Sequence, residues 1–456
     1  MKKRLIVENY NGFIDKITDE TIATNKISPE LYWRYNVKRG LRNEDGTGVL
    51  VGLTEIGDVH GYIMDENEKV PVHGRLRYRG IDVEEIISGI LEEDRFGFEE
   101  VCYLILFGKL PGKKELETFT ELLGSQRRLP DGFLEDVILA FPSKDLMNML
   151  ARYVLAMYSF DDDPDNLDVK NNIVQSILLI AMFPSFVSYG YQAKEYNYNN
   201  KTLHIRNPLP ELSSAENILR LIRSDGQYTR EEAKILDLFL ILHAEHGGGN
   251  NSAFATHVVS SSGTDIYSAI VAAIGSLKGP RHGGANIKVM GMMDEIKANV
   301  KNWDDENEVA DYLKKILQKK AYDRTGLIYG IGHAVYTLSD PRAVILKEQA
   351  KYLAEKTGRT DEFKLYDMIE RISPALFNEH KGLNKAISAN VDFYSGFLLD
   401  MLGIPKDMYT PLFAVSRIVG WCGHRIEELI NGGKIMRPAY KNVVTPKKYT
   451  KLSERD

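Results

Sequence analysis

Three histidines stand next to glycines in stretches of the sequence that could bind a small ligand. His246 lies in HAEHGGGN, His282 in GPRHGGAN and His333 in GIGH. Glycine lets the backbone approach a ligand closely, and a neutral imidazole N–H can stabilise a carbonyl oxygen that gains negative charge. His282 precedes a helix predicted to begin around Gly284, whose positive end disfavours a charged ring. We therefore predict a neutral His282 that donates to a carbonyl; a plain loop histidine is the alternative.

The stretch from His243 to His257 also raises the question of a metal site. It contains His243, His246 and His257, but His-x-x-His alone is a weak metal signal, and neither cysteine lies nearby in the sequence. The glycines that follow His246 favour a site for a polar small molecule, although they would equally end a helix. We therefore predict a polar small-molecule site in this stretch and no metal site.

One carboxylate and two arginines could complete a site for an anionic substrate. Asp392 precedes an apolar helix and could act as a general base, although Asn390 or Asp392 would also make a good N-cap. Arg342 follows an aspartate–proline pair typical of a helix start. It would lie in the first turn of that helix, where the helix dipole disfavours a positive charge. Arg417 is the single cation in the apolar run FAVSRIVGW. A buried cation needs an anion, which would be either a substrate carboxylate or an internal salt-bridge partner; a snorkelling side chain is the third interpretation.

The elements that must position these residues are mostly helices. Apolar residues recur at helical spacing after the segment YRGIDVEEII, whereas residues 49–78 contain short β-like pieces with turn residues between them. The sequence therefore predicts a mainly α fold with a small N-terminal β element. The most apolar stretch, NIVQSILLIAMFPSFVSYGY, contains polar residues and Pro184. We interpret it as a buried helix that ends near Pro184, not as a membrane span.

Composition argues against several classes of function. A chain of 456 residues suggests two or three domains, and its net charge of -6 gives no support for nucleic-acid binding. Only two cysteines occur, which fits a reducing compartment, and the first residues lack the apolar region of a secretory signal. We expect a cytoplasmic protein that binds neither nucleic acid nor membranes.

Taken together, five segments in order resemble the citrate synthase family. They are HAEHGGGNNSAFATH, GPRHGGAN, GIGHAVYTLSDPR, NVDFYSG and AVSRIVG, and the resemblance runs from GRLRYRGIDVEEI to IMRPAY. The resemblance implies condensation of acetyl-CoA with oxaloacetate, followed by hydrolysis of citryl-CoA to citrate and CoA. It implies no cofactor beyond the CoA thioester substrate. The alternatives are a 2-methylcitrate synthase that uses propionyl-CoA and a non-catalytic binding protein on the same fold.

The resemblance also implies which residues perform the reaction. His282 would hydrogen-bond the thioester carbonyl of acetyl-CoA, Asp392 would remove a methyl proton, and His333 would polarise the ketone of oxaloacetate.

Further residues would hold the two substrates. His246 would contact oxaloacetate, Arg342 and Arg417 would clamp its carboxylates, and Arg437 would be supplied by the neighbouring subunit of a homodimer or of a multiple of dimers. The backbone expected to lie against CoA comprises Leu327, Ile328, Tyr329, Gly330, Ile331 and Gly332.

The fold that the resemblance implies has two helical domains. Residues 1–284 and 390–456 would form a large domain, and residues 285–389 a small domain that closes over the substrates. The sequence departs from the family at Phe254, where a histidine is common, and at Thr337, where a basic residue often binds CoA phosphate. Lys38, Arg39 or Arg42 could replace that basic group, although the first sixty residues match poorly.

Overall fold

The computed structural model of the chain describes residues 11–66, 68–333 and 335–455. The chain divides after Leu53 into two compact units. The described part of the first unit contains α1 (Asn11–Thr24), α2 (Pro29–Arg34) and a 3₁₀ turn at Arg39–Leu41.

The second unit starts with a small antiparallel sheet. Strand β1 (Gly57–Asp65) pairs with β2 (Glu68–Tyr78), with Gly57 opposite Tyr78 and an irregularity in register between His60 and Tyr62. The two-residue strand β3 (Ile81–Asp82) pairs with the end of β2. The predicted β element near the N-terminus is therefore present.

The rest of the second unit is helical, which confirms the predicted mainly α fold. Its helices are α3 (Val83–Glu92), α4 (Phe98–Phe107), α5 (Lys113–Ser125), α6 (Leu146–Met157), α7 (Val169–Asn199), α8 (Ser214–Ile222), α9 (Arg230–His243), α10 (Asn251–Ser260), α11 (Ile266–Lys278), α12 (Ala285–Asn299), α13 (Glu306–Leu317), α14 (Pro341–Thr357), α15 (Thr360–Lys381), α16 (Val391–Met401) and α17 (Tyr409–Ile430).

Helix α17 forms the centre of the core. Every residue from Tyr409 to Ile426 is buried, and the helix packs against α4, α7, α9, α10 and α11. A helix that is apolar on all sides is stable in water only when other elements cover it. Arg417 lies in this helix, so its guanidinium is positioned inside the protein by surrounding apolar packing.

Helix α7 corrects one prediction. It continues through Pro184 to Asn199, so the expected helix end near Pro184 was wrong. Proline within a helix costs about 3 kcal/mol, and the burial of nearly all side chains from Leu179 to Glu195 offsets that cost. The helix is long and apolar enough to cross a membrane, but 83% of its most apolar window is buried inside the protein. It is the buried core helix that the sequence predicted.

The β-hairpin supports the loop that carries His333. Gly74 N–H donates to Ser339 Oγ at 3.2 Å, and the Tyr336 hydroxyl donates to the Arg75 carbonyl at 3.3 Å. A side chain at Gly74 would collide with the Ser339 carbonyl. The hairpin and this loop are therefore packed backbone against backbone, which fixes the position of the loop.

Candidate active site

The candidate site is assembled from loops and helix starts of the second unit. His246 lies between α9 and α10, and His282 lies between α11 and α12. His333 lies in the segment between α13 and α14, while Asp392 occupies the first turn of α16. Helix ends leave backbone groups and side chains accessible to a ligand, so this arrangement suits a binding site.

His333 is held by its own loop. Its Nδ1 accepts hydrogen bonds from the backbone N–H groups of Val335 and Tyr336, at 3.1 and 3.0 Å. Its ring also stacks on Tyr336 with centroids 4.8 Å apart. An Nδ1 that accepts two hydrogen bonds leaves the ring proton on Nε2, so Nε2–H is the donor that His333 can offer to an oxygen atom.

His246 stands against His333. The two ring centroids are 5.4 Å apart, and Nε2 of His246 is buried without a hydrogen-bond partner among the described residues. Burial lowers the pKa of His246 well below its usual value, and the charges of Arg342, His333, Arg417 and His282 lower it further. His246 is therefore neutral, and these four predicted residues lie within electrostatic reach of it.

His282 is joined to two residues that the sequence motifs did not single out. Its Nε2 lies 3.0 Å from Ser252 Oγ, which also accepts the indole N–H of Trp421 at 3.1 Å. Burial, followed by the charge of Arg417, lowers the pKa of His282 to about 4. The ring is neutral at pH 7, as the sequence predicted. Ser252 lies in the same glycine-rich segment as His246, which was the available signal for it, whereas Trp421 had none.

The side chain of Asp392 does not cap its helix, because its neighbour does. The side chain of Asn390 is the N-cap of α16 and accepts the Asp392 backbone N–H at 3.0 Å. Burial raises the pKa of the Asp392 carboxyl from 3.8 to about 6, against the opposing effect of Arg342. A carboxylate that is costly to ionise binds a proton more strongly than one in water. Of the two N-cap alternatives, Asn390 is the one realised.

The segment that carries His333 is bridged to the start of α16. Gly332 N–H donates to the Ser388 carbonyl at 2.8 Å, and Asn390 N–H donates to the Gly330 carbonyl at 2.9 Å. The Asn390 side-chain amide donates to the Gly332 carbonyl at 2.8 Å. These bonds fix the His333 segment next to Asp392.

Arg342 has an internal anionic partner. As predicted, Asp340 is the N-cap and Pro341 the first residue of α14. Nε and Nη2 of Arg342 both donate to the Asp340 carboxylate, at 3.0 and 2.8 Å. Burial opposes ionisation of Asp340, but Arg342 keeps the pKa of Asp340 below its usual value. Asp340 also accepts the Val391 backbone N–H at 3.2 Å, so this ion pair ties α14 to α16.

Arg417 differs from Arg342. Its Nε donates to the His243 carbonyl at 2.7 Å, whereas Nη1 and Nη2 are buried without hydrogen-bond partners among the described residues. Burial lowers its pKa to about 10, so the group still carries its charge at pH 7. Two parallel unpartnered N–H groups match a carboxylate. Of the interpretations made from sequence, the anion clamp fits this geometry better than a salt bridge or a snorkelling side chain.

The stretch Leu327–Gly332 depends on two glycines in the left-handed region. Gly330 has φ +80° and Gly332 has φ +98°. A Cβ at Gly330 would lie 2.7 Å from a ring carbon of Phe393 in α16. Glycine is therefore required at residue 330 both for its backbone angle and for its close approach to the next helix.

The predicted partner-subunit arginine and the candidate CoA-phosphate residues lie outside this set of contacts. Arg437 is exposed in the segment after α17, where neighbouring Met436 N–H donates to Ser261 Oγ at 3.1 Å; its role across a subunit interface stays a prediction. Thr337 Oγ1 is buried without a hydrogen-bond partner among the described residues. The candidate CoA-phosphate groups Lys38, Arg39 and Arg42 belong to the first compact unit.

Comparisons with known proteins show which family the chain as a whole resembles. Residues 44–439 match the family described as citrate synthase, C-terminal domain. The citrate synthase of Haloferax volcanii is 34% identical over 408 residues, which cover 88% of this chain and 94% of that protein. The 2-methylcitrate synthase 1 of Corynebacterium glutamicum is 32% identical over 426 residues, covering 92% of this chain and 98% of that protein.

A solved structure extends the likeness to three dimensions. It is the ternary complex of carboxymethyl coenzyme A and oxaloacetate with the citrate synthase of Thermoplasma acidophilum, with a TM-score of 0.75 and 27% identity. The match covers 92% of this chain and 99% of that one. Because the family match and the relatives both span most of the chain, the resemblance read from the five motifs is confirmed, and this chain belongs to the citrate synthase family.

Proposed function

We propose that this protein is an acyltransferase that condenses acetyl-CoA with oxaloacetate and hydrolyses the resulting citryl-CoA to citrate and CoA. The observation that carries the proposal is the buried guanidinium of Arg417, whose two terminal nitrogens lack partners among the described residues. It lies within electrostatic reach of His246, His282 and Asp392. A keto-dicarboxylate supplies both the carboxylate for Arg417 and a carbonyl oxygen for the neutral imidazoles.

Enolate formation requires an acid and a base that act on the same acyl group. Asp392 takes a proton from the methyl carbon of the thioester, and its raised pKa makes it a stronger base than an exposed carboxylate. Neutral His282 donates to the thioester oxygen as negative charge develops there. The Ser252 hydroxyl accepts the Trp421 N–H and donates its own hydrogen to His282 Nε2. Because Nε2 accepts a hydrogen bond, the proton of the neutral ring is on Nδ1.

Carbon–carbon bond formation then occurs at the ketone of oxaloacetate. The enolate carbon attacks the ketone carbon, and His333 Nε2–H stabilises the alkoxide that forms. Arg417 and His246 orient the oxaloacetate dianion, and Arg342 contacts it while remaining paired with Asp340. This converts a bimolecular encounter into a positioned reaction. Water then hydrolyses the thioester of citryl-CoA. The residues named here need no metal or redox cofactor for these steps.

The chain is also proposed to work as a dimer and to close over its substrates. In this proposal Arg437 reaches the site of the neighbouring subunit, and the stretch Leu327–Gly332 lies against CoA. The small domain, residues 285–389, begins beside His282 and ends beside Asp392, so its closure would exclude water from both groups before the enolate forms. Cytoplasmic location is supported by two buried, free cysteines.

The alternative acyl donor is propionyl-CoA. It is consistent with relatives named 2-methylcitrate synthase, including the protein from Shewanella oneidensis, which is 30% identical over 381 residues. A pocket discriminates one methylene by about 1–3 kcal/mol. That corresponds to roughly 10- to 200-fold in kcat/KM, so the two activities are separable by measurement.

The deciding experiment measures release of the CoA thiol with a thiol reagent. Purified protein is supplied with oxaloacetate and either acetyl-CoA or propionyl-CoA, and reactions without oxaloacetate measure simple thioester hydrolysis. We expect oxaloacetate-dependent thiol release with kcat/KM at least about 10-fold higher for acetyl-CoA. A higher value for propionyl-CoA would support the 2-methylcitrate alternative. No oxaloacetate-dependent release with either donor would favour a non-catalytic protein and overturn the proposal.

A further inference from the structure

A second cluster of ionisable residues lies outside the proposed catalytic set. His257 on α10 faces His424 on α17, with Nε2 of His257 3.1 Å from Nδ1 of His424. Glu427, one helical turn after His424, places Oε2 3.8 Å from the same Nδ1. The three ligand-type atoms all lie within 4.8 Å of one another. The chemistry proposed above uses none of these side chains.

The spacing of the two ring nitrogens matches that of two ligands of a zinc ion. Zinc binds histidine nitrogen at about 2.0–2.1 Å and carboxylate oxygen at about 2.0–2.2 Å, usually in a tetrahedral arrangement. Two nitrogens bound at the tetrahedral angle are then roughly 3.3 Å apart. This is close to the 3.1 Å between His257 Nε2 and His424 Nδ1. The Glu427 carboxylate, whose Oε2 lies 3.8 Å from His424 Nδ1, would move closer to supply the third ligand.

Both rings are oriented in the way that metal-binding histidines usually are. His257 Nδ1 lies 3.0 Å from a carboxylate oxygen of Glu428, and His424 Nε2 lies 3.0 Å from a carboxylate oxygen of Glu245. A carboxylate on the far nitrogen fixes the tautomer and makes the near nitrogen a better ligand. The nitrogens that face each other are therefore the ones prepared to bind an ion.

The charge and accessibility of the cluster also favour a dication. Glu245, Glu427 and Glu428 bring three carboxylates around the two imidazoles. The His424 side chain has no exposed surface, whereas the side chains of His257 and Glu427 are each 11% exposed. The ion would enter from that side, and water would complete its coordination. The ion would take the place of the proton between His257 Nε2 and His424 Nδ1. That proton would leave to solvent.

We propose that His257, His424 and Glu427 form a zinc site with a structural role. The site would join α10 to α17, and through Glu245 it would fix the loop that carries His246 beside Arg417. It is separate from the proposed catalytic chemistry, so its failure would leave the condensation proposal intact.

Zinc content measures this proposal directly. Protein without a histidine tag is stripped with a chelator, dialysed against Zn²⁺, desalted and analysed by inductively coupled plasma mass spectrometry. We expect about one zinc per chain in the native protein and less than about a fifth of that in His257→Gln and Glu427→Gln. Glu427→Gln preserves side-chain size, and circular dichroism checks that both variants keep the native helical content.

Two further measurements separate this cluster from the catalytic histidines. His246→Gln removes an imidazole from the catalytic cleft, and we expect it to keep its zinc. Co²⁺ bound to the native protein, which requires no substitution, should show the visible absorption bands of a tetrahedral site. The proposal is overturned if the native protein retains no zinc and shows no tetrahedral cobalt spectrum. It is also overturned if His257→Gln and Glu427→Gln retain full zinc, or if zinc is lost in His246→Gln instead.

Discussion

Replacing the proposed base with its neutral isostere, Asp392→Asn, should remove activity and stabilise the fold. The Asp392 backbone N–H already bonds to the side chain of Asn390, so the substitution leaves the helix cap intact. General base catalysis contributes about 10²- to 10⁴-fold, and we expect kcat to fall by at least 100-fold. The opposite effects on rate and stability would identify Asp392 as a group that is buried for function.

The size of the stabilisation follows from the pKa of Asp392. Burial raises that pKa from 3.8 to about 6, a change of about two units, and each unit is worth 1.36 kcal/mol. The folded protein therefore binds the Asp392 proton more tightly than the unfolded chain. Ionisation costs about 3 kcal/mol of folding free energy at pH 8 and about half of that at pH 5. The cost falls to about 0.5 kcal/mol at pH 4 and vanishes below about pH 3, where both states are protonated.

The assay compares thermal unfolding of the native protein and the variant from pH 5 to pH 8. For a chain of 456 residues, 3 kcal/mol corresponds to about 3 °C in Tm. The Tm of Asp392→Asn should therefore be about 3 °C higher than that of the native protein at pH 8. At pH 5 the difference in Tm should be about half as large. Asp131→Asn is the control, because the Asp131 side chain is fully exposed. A Tm difference that is absent, reversed or independent of pH would refute the reasoning, as would a kcat within 10-fold of the native value.

Three further predictions follow from the geometry of the site. The kcat/KM of the native protein should fall as pH decreases through about 6, because Asp392 must be ionised in the free enzyme. His282, with a pKa of about 4, should add no second step above pH 5. A flat pH–rate profile between pH 5 and 8 would contradict this assignment. Arg417→Lys should weaken oxaloacetate binding by roughly 10- to 150-fold in calorimetry, since it loses a charge-assisted hydrogen bond worth about 1.5–3 kcal/mol; an unchanged Kd would exclude Arg417 from the clamp. Gly330→Ala should lower Tm more than Gly358→Ala. Both glycines have positive φ, but only at Gly330 would the added methyl collide with another helix, 2.7 Å from a ring carbon of Phe393 in α16. Equal losses would show that backbone strain alone decides the effect.

Local sequence predicted the helix starts that surround the site. The aspartate–proline pair before Arg342 was expected to open a helix, and Asp340 and Pro341 do so in the structure. Asn390 and Asp392 were both candidate caps, and sequence could not choose between them. Capping depends on backbone groups within three residues, so the signal is local even where two residues compete for it.

The helix through Pro184 shows where local rules fail. Proline is among the strongest signals for a helix end, yet α7 continues for fifteen residues beyond it to Asn199. Burial of the surrounding side chains decides the outcome, and part of that burial is supplied by α17, which lies more than 200 residues later in the chain. The same limit applies to Ser252 and Trp421, which meet at His282 although 169 residues separate them.

The sequence by itself determined the order of chemical groups, the mainly helical fold and the family to which the chain belongs, because these depend on residue types and on spacing over short distances. The tertiary structure alone decided which charges are already paired. Asp340 neutralises Arg342, whereas Arg417 keeps two buried N–H groups without partners among the described residues. Pairing and protonation depend on burial and on groups brought together by folding, and these are set by the packing of helices that lie far apart in the chain.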